Sequence, residues 1–159
     1  MNIKLLRDCI EYKEQVINWL NQEFGCETSY RFYKELIEHS MEEDELPITF
    51  VAIENETLVG TVGLWRGDLL SRQDLYPWLS ALVVNRNYRN RKIGQQLQQF
   101  IEEYCRNKHY EQIYLYTDLV NYYEKTGWIA VGKGYEYMGG EVTIYKKSLK
   151  RLSLRDKSV

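Results

Sequence analysis

The chain has 159 residues, 44% of them hydrophobic, which suffices for one domain with a sizeable buried core. Its 21 Lys and Arg against 23 Asp and Glu leave a formal charge of −2, so it has no global attraction to nucleic acid. Its three cysteines, Cys9, Cys26 and Cys105, are odd in number and in no metal-ligand spacing, so free thiols, no bound metal and a cytoplasmic setting are expected.

The first thirteen residues contain no long apolar run, so neither a signal peptide nor a membrane span is expected. No repeat, low-complexity tract or linker interrupts the chain, and a single domain over 1–159 is expected. Residues 2–6 read as a short strand. Residues 12–24 carry Val16, Ile17, Trp19, Leu20 and Phe24 at near-helical spacing, with Gly25 as a stop. Ser29 is placed to cap a second helix reaching about Met41, with Phe32, Tyr33, Leu36 and Ile37 as its apolar stripe. The acidic run at 42–45 reads as a solvated turn, with an amine-attracting lip as the alternative. Two strands, 48–54 and 57–65, flank Asn55-Glu56 and read as a tight hairpin. Residues 67–76 form a longer polar connection carrying Asp68, Arg72 and Asp74, and Pro77-Trp78 leads into the next strand.

The stretch 79–100 organises the rest. Residues 79–84 are short, apolar and β-branched at their end, as in a buried strand. From Ile93 onward, Leu97, Phe100, Ile101, Tyr104 and Cys105 lie on one helical stripe, with Gln, Glu and Arg on the other face. Between them, residues 86–92 hold four cations. The first amides of a helix have no internal partner and point outward, and the helix dipole adds positive potential there. A basic loop opening a helix beside Gly94 therefore reads as a phosphate site, or as a solvated basic cap on a structural helix.

Further on, 112–117 reads as a strand parallel to 79–84, joined by a right-handed crossover through the helix. Residues 118–125 read as a short helix ended by Thr126-Gly127. Two more strands, 128–137 and 141–147, flank the turn at Met138-Gly139-Gly140, and the charged tail 151–159 is expected to fray. The hairpin strands must then run antiparallel. The fold class is α/β (α+β), a mixed, mostly antiparallel sheet of six to seven strands with a central parallel crossover and flanking helices.

Residues 84–94, VNRNYRNRKIG, resemble the acetyl-CoA signature of the GNAT superfamily of N-acetyltransferases. There a strand ending in Val runs into Arg/Gln-x-x-Gly-x-Gly/Ala. Arg89 fits the opening position and Gly94 the closing small residue; Lys92 stands where the family usually has its first glycine, and Arg86 where proline is frequent. A second segment, 121–128 (NYYEKTGW), is similar to the family's N…YEKxGF/W segment, and the element order matches nearly throughout. The resemblance implies a fold of this kind, acetyl-CoA as co-substrate and no metal. It places the pantetheine arm against the backbone of Leu82, Val83 and Val84. The pyrophosphate falls, mostly through main-chain amides, to Arg89, Asn90, Arg91, Lys92, Ile93, Gly94 and Gln95. Asn121 joins the cofactor site through the second motif, and Tyr123 takes the place of the family's tyrosine general acid, with Tyr122 packing inward.

Acetyl transfer from a thioester to an amine needs a neutral amine, a polarised carbonyl and a stabilised thiolate. An alkylamine has a pKa of about 10.4 and a thiol about 8.5, so proton transfer helps at both ends. The family often draws its base from the central strand, and 78–84 contains no carboxylate. Asp118, just after strand 112–117, is the nearest candidate base by topology, although a helix N-cap is its commoner role. Asp68, Asp74, Glu136, Glu141 or a water chain are the alternatives. His39 and His109 lie outside both motifs, and His109, near the C-terminus of the central helix where a cation suits the dipole, reads as structural. Aromatic segments around Trp19, Tyr30, Trp65 and 135–137 either line an acceptor pocket or serve the core or a dimer contact. The reading is an acetyl-CoA-dependent N-acetyltransferase using a small-molecule or peptide amine, with no nucleic-acid or membrane partner and a possible homodimer. A non-catalytic acyl-CoA-binding or sensing module of the same fold is the alternative.

Overall fold

The structure, a computed structural model, describes residues 1–150; the tail 151–159 lies outside the described residues. Its strands are β1 (Asn2–Leu5), β2 (Ile48–Glu54), β3 (Thr57–Trp65), β4 (Trp78–Val84), β5 (Gln112–Thr117), β6 (Ile129–Tyr135) and β7 (Glu141–Ser148). The helices are α1 (Lys13–Phe24), α2 (Tyr30–Glu38) and α3 (Ile93–Asn107). All seven strands form one sheet in the order β1-β2-β3-β4-β5-β7-β6, and β4 with β5 is its parallel pair. The mixed α/β architecture expected from sequence is therefore present.

Alternation along the strands divides the sheet into two faces. On one, α3 lays Ile93, Leu97, Ile101 and Cys105 onto Phe50, Val62, Leu64, Leu79, Ile113 and Leu115. On the other, Val16, Ile17 and Leu20 of α1 and Ile37 of α2 cover Val51, Leu58 and Val83. A third cluster joins Leu69 of the long β3–β4 connection to Trp78, Tyr114, Val142 and Ile144. Burying an aliphatic side chain of this kind contributes about 1.5–3 kcal/mol, so these faces dominate the stability. The β2–β3 turn is tight because Asn55 and Glu56 both adopt left-handed φ, 48° and 62°, which twists with the strands.

Several local expectations are corrected. The second helix ends at Glu38, not near Met41, and Met41 bridges to Ile48 instead. Ser29 stands at its N-cap as expected, but its hydroxyl makes no capping bond: it donates to Asn21 Oδ1 at 2.6 Å and accepts from the Cys26 amide at 2.7 Å, stitching the α1–α2 connection. Phe32 is exposed, because the stripe that docks on the sheet is Tyr33, Leu36 and Ile37. No α-helix forms over 118–125; a 3₁₀ turn at Tyr123–Thr126 replaces it, closed by Gly127 at φ 90°. Asp118 consequently caps nothing. On α3, Gln98 and Glu102 are buried at 2% and 5% exposure, although the apolar stripe alone placed them on the wet face. Gln98 Oε1 accepts from Trp128 Nε1 and Thr126 Oγ1, both at 3.3 Å, and Glu102 meets Lys147 at 2.8 Å. The acidic run at 42–45 is a surface turn tied down by the Arg7–Glu43 and Lys108–Asp44 ion pairs.

Candidate active site

The centre of the sheet is where its pairing fails. Strands β4 and β5 pair only at Trp78↔Tyr114, supported by the Tyr114 amide donating to the Pro77 carbonyl at 3.0 Å. Beyond that point the two strands part. On its other side β4 stays on β3, but with a bulge: Thr61 faces Val83 and Gly63 faces Ser80, so Ala81 and Leu82 oppose one residue, with Ala81 at φ 50°. A bulge bends a strand and increases its twist, which turns β4 away from β5. Backbone groups left without a neighbouring strand need another partner. The β5-facing backbone of Leu82, Val83 and Val84 thus offers an added-strand site between the parted strands.

At the mouth of this splay stands the basic loop. Asn85 fixes its root, its side chain donating to the Leu58 carbonyl at 3.1 Å and accepting from the Asn87 amide at 3.0 Å. A 3₁₀ turn at Arg86–Tyr88 follows, and the chain enters α3 through two left-handed residues, Asn90 (φ 64°) and Lys92 (φ 60°). Lys92 therefore adopts the conformation that glycine favours. The first helical bond runs from the Gln96 amide to the Lys92 carbonyl, so the Ile93, Gly94 and Gln95 amides have no intrahelical acceptor, and no side chain caps them. A Cβ on Gly94 would make only ordinary contacts, 3.7 Å to Val84 Cγ2 and 4.0 Å to Tyr122 Oη. The fold does not demand glycine there; the open space fits a ligand lying against the helix start. Arg89 folds back, its Nε 3.4 Å from the Val84 carbonyl and its guanidinium 3.8 Å from Glu23 of α1. Beside it a pocket of about 140 Å³ is lined by Trp19, Glu23, Val84, Arg86 and Arg89. Arg91 lies over the Tyr88 ring, 4.9 Å from its centroid.

The second motif meets the first here. Tyr123 is half-buried against Trp128, Tyr145 and Tyr122, with ring centroids 6.1, 6.0 and 4.8 Å away. Burial pushes its phenol up to about 12, with a further push from Tyr122. Tyr122, expected to pack inward, is instead 45% exposed and reaches toward Gly94. The inward partner is Tyr123, because the Gln98–Trp128 contact draws this end of the turn onto α3. Asn121 is exposed at φ 55°, and Asp118 is exposed beyond the end of β5. Of the alternative bases, Asp74 is held bidentate by Arg72 at 2.8–2.9 Å and Glu141 pairs with Lys133 at 3.8 Å. Asp68 and Glu136 lie together on the α1–α2 face, where each acts on the Tyr116 phenol. Sequence reading could name them only among several carboxylates, since they sit sixty-eight positions apart.

The fold and both motifs lead to one family. The Acetyltransferase (GNAT) family description matches residues 13–128, and the chain belongs to that family. Acetyl transfer with coenzyme A as the carrier is the chemistry that membership brings. No curated protein is similar enough in sequence to count as a relative. Solved structures of the same fold include an aminoglycoside 6′-N-acetyltransferase from Enterococcus faecium, at TM-score 0.75, 21% identity, and coverage of 96% of this chain and 99% of that one. An aminoglycoside 6′-N-acetyltransferase complexed with coenzyme A gives TM-score 0.74, 21% identity and the same coverages, 96% and 99%. An N-acetyltransferase from Staphylococcus aureus Mu50 gives 0.67, 18% identity, 93% and 97%. Among the described residues no helix is long and apolar enough to cross a membrane.

Proposed function

We propose that this protein is an acetyl-CoA-dependent N-acetyltransferase that moves acetyl to a primary amine of a small molecule or peptide within a ternary complex. The observation that carries this reading is the β4–β5 splay with uncapped α3 amides and an open Gly94 at its mouth. Acetyl-CoA supplies the acetyl group as a thioester. The β4 backbone at Leu82, Val83 and Val84 holds the pantetheine arm as an added strand, and one of its amides polarises the acetyl carbonyl. The amides of Ile93, Gly94 and Gln95, with Arg89, Asn90, Arg91 and Lys92, hold the pyrophosphate, where helix dipole and side-chain charge act together. Asn121 flanks the same end. The Tyr123 phenol stays protonated at neutral pH and donates a hydrogen bond to the departing sulfur; with its pKa near 12 it stabilises the thiolate more than it surrenders its proton. Cys105 is no acyl carrier, since it is buried under α3 with its thiol pushed up to about 12, and transfer is direct.

Calorimetric titration with acetyl-CoA and with CoA tests the reading, for wild type, Arg89→Ala and Gly94→Trp. Micromolar binding weakened at least about tenfold by both substitutions is expected, because one removes a phosphate partner and the other fills the mouth of the splay. Absence of binding in wild type would overturn it. Binding without acetyl transfer to any amine would leave the acyl-CoA-binding module as the better reading.

A further inference from the structure

On the α1–α2 face, just past the last β4–β5 pair, the sheet carries a polar gap between two apolar clusters. Ser80 on β4 and Tyr116 on β5 each follow, by two positions and so on the same face, the last paired residues Trp78 and Tyr114. Asp68 lies against them. Its neighbour Leu69 is 1% exposed in the third cluster, and Ser71 donates to the Tyr135 carbonyl at 2.7 Å, so the β3–β4 connection is pinned to β6. The β6–β7 turn brings Glu136 to the same place, and α2 brings Tyr33, which feels both carboxylates.

Three groups here stand without an ordinary partner, Ser80 buried, Asp68 partly buried and Glu136 at the exposed rim. Among the described residues no cation pairs with Asp68 or Glu136 in an ion pair, although each acts on the other's surroundings. Ser80 is 3% exposed, and its hydroxyl makes no hydrogen bond of normal geometry, although it faces Asp68 closely enough to lower that carboxyl. Buried polar groups are ordinarily paired; here the buried Ser80 hydroxyl has only the Asp68 carboxylate beside it, and exposed Glu136 stands at the rim, an arrangement that suits a cation. Burial nonetheless holds the Asp68 carboxyl up at about 6, with Glu136 adding to the rise.

Resting on the acetyltransferase reading, we propose that Asp68 is the catalytic base and that Asp68 with Glu136 selects an acceptor arriving as a cationic alkylamine. The ammonium gives one proton to the Asp68 carboxylate. The neutral nitrogen attacks the thioester carbon held on β4; the C–N bond forms and the C–S bond breaks. The second nitrogen proton ends on the thiolate, giving CoA thiol and the amide, and Asp68 releases its proton to water. Tyr33 and Tyr116 give the alkyl part of the acceptor an aromatic wall. A carboxylate titrating near 6 is deprotonated at neutral pH yet basic enough to share an ammonium proton, which an exposed carboxylate does poorly.

The test compares wild type, Asp68→Asn and Glu136→Gln for acetyl-CoA binding by calorimetry and for thiol release with spermidine, kanamycin and tyramine across pH 5.5–9.5. Wild-type kcat/KM is expected to rise through an apparent pKa near 6 with the amines that it accepts. Asp68→Asn should bind acetyl-CoA as wild type does, lose about 100-fold in kcat/KM at pH 7, and recover about tenfold per pH unit as neutral amine accumulates. Glu136→Gln should raise KM more than it lowers kcat. A structural role for Asp68 would give no such recovery with pH. Asp68→Asn turning over at the wild-type rate at pH 7 would overturn the base assignment while leaving acetyl-CoA binding, and so the family activity, standing. Loss of acetyl-CoA binding in wild type would instead sink the underlying reading, and this proposal with it. A folded Asp68→Asn protein, checked by its thermal transition, keeps the comparison valid.

Discussion

Lys92 and Tyr123 show how single side chains are fixed by their surroundings. At φ 60° and ψ 20° Lys92 occupies the left-handed region, which costs a residue with a Cβ roughly 1–2 kcal/mol. Its amide still points outward with those that follow it. Lys92→Gly should therefore leave the fold equally stable or up to about 1 kcal/mol more stable by denaturant titration, glycine's larger unfolded-state entropy offsetting part of the relief. Acetyl-CoA affinity should stay within about threefold, since the amides rather than this ammonium set the site. A loss above tenfold would show that the Lys92 charge itself holds phosphate. Tyr123→Phe keeps the ring contacts to Trp128 and Tyr145 and removes only the hydroxyl. Its kcat should fall about 100-fold with acetyl-CoA affinity unchanged; weakened binding would mean that the hydroxyl holds the bound cofactor rather than the departing thiolate.

At the scale of the element, α3 does two jobs on two faces. Its apolar stripe closes the core, while Gln98 and Glu102, one step round, clamp the second motif and β7. Lys147 donates to Glu102 at 2.8 Å and to the Thr126 carbonyl at 2.6 Å, so one ammonium ties the helix to the 3₁₀ turn that carries Tyr123. Glu102→Ala leaves that partly buried ammonium without its main counter-charge. Such losses run to about 3 kcal/mol or more, which should appear as a clear fall in the urea midpoint. Glu102→Gln, which keeps an acceptor for Lys147, should lose less. Equal losses in the two variants would mean that the negative charge, not packing or an acceptor oxygen, is what Glu102 supplies.

Across the whole molecule the sheet is strong everywhere except where it works. The β4–β5 splay opens both faces to one line of backbone, and the proposed mechanism brings coenzyme A to it from the α3 side and the acceptor from the α1–α2 side. The polar gap on that second face has a stability signature. Asp68 rises from 3.8 to about 6 on folding, so the folded state binds its proton more tightly than the unfolded chain. That contribution is fully present below pH 3.8 and is lost as pH rises through about 6, and it amounts to about 3 kcal/mol. Wild type should therefore fall behind Asp68→Asn between pH 4 and 7 in thermal unfolding, with Glu136, Tyr33 and Tyr116 facing position 68 in both proteins. A constant difference between the two across that range would show that Asp68 titrates normally.

Local chemistry wrote much of this into the chain. Alternating and 3.6-period apolar residues set the strands at 48–54, 57–65 and 112–117 and the start of α3, because side-chain direction repeats with the backbone. The basic loop, Gly94 and the YEKTGW segment marked the cofactor side, since phosphate binding and a tight turn need particular residues at fixed spacing. Contacts between distant segments were not legible in that way. Burial of Gln98 and Glu102, the inward packing of Tyr123 rather than Tyr122, and the end of α2 at Glu38 all depend on what packs opposite. The same holds for the acceptor side: Asp68, Ser80, Tyr116 and Glu136 come from four separate segments, and each alone is an ordinary residue. Only closure of the sheet brings them together and buries Ser80 beside Asp68, and that juxtaposition is what the proposed base role rests on.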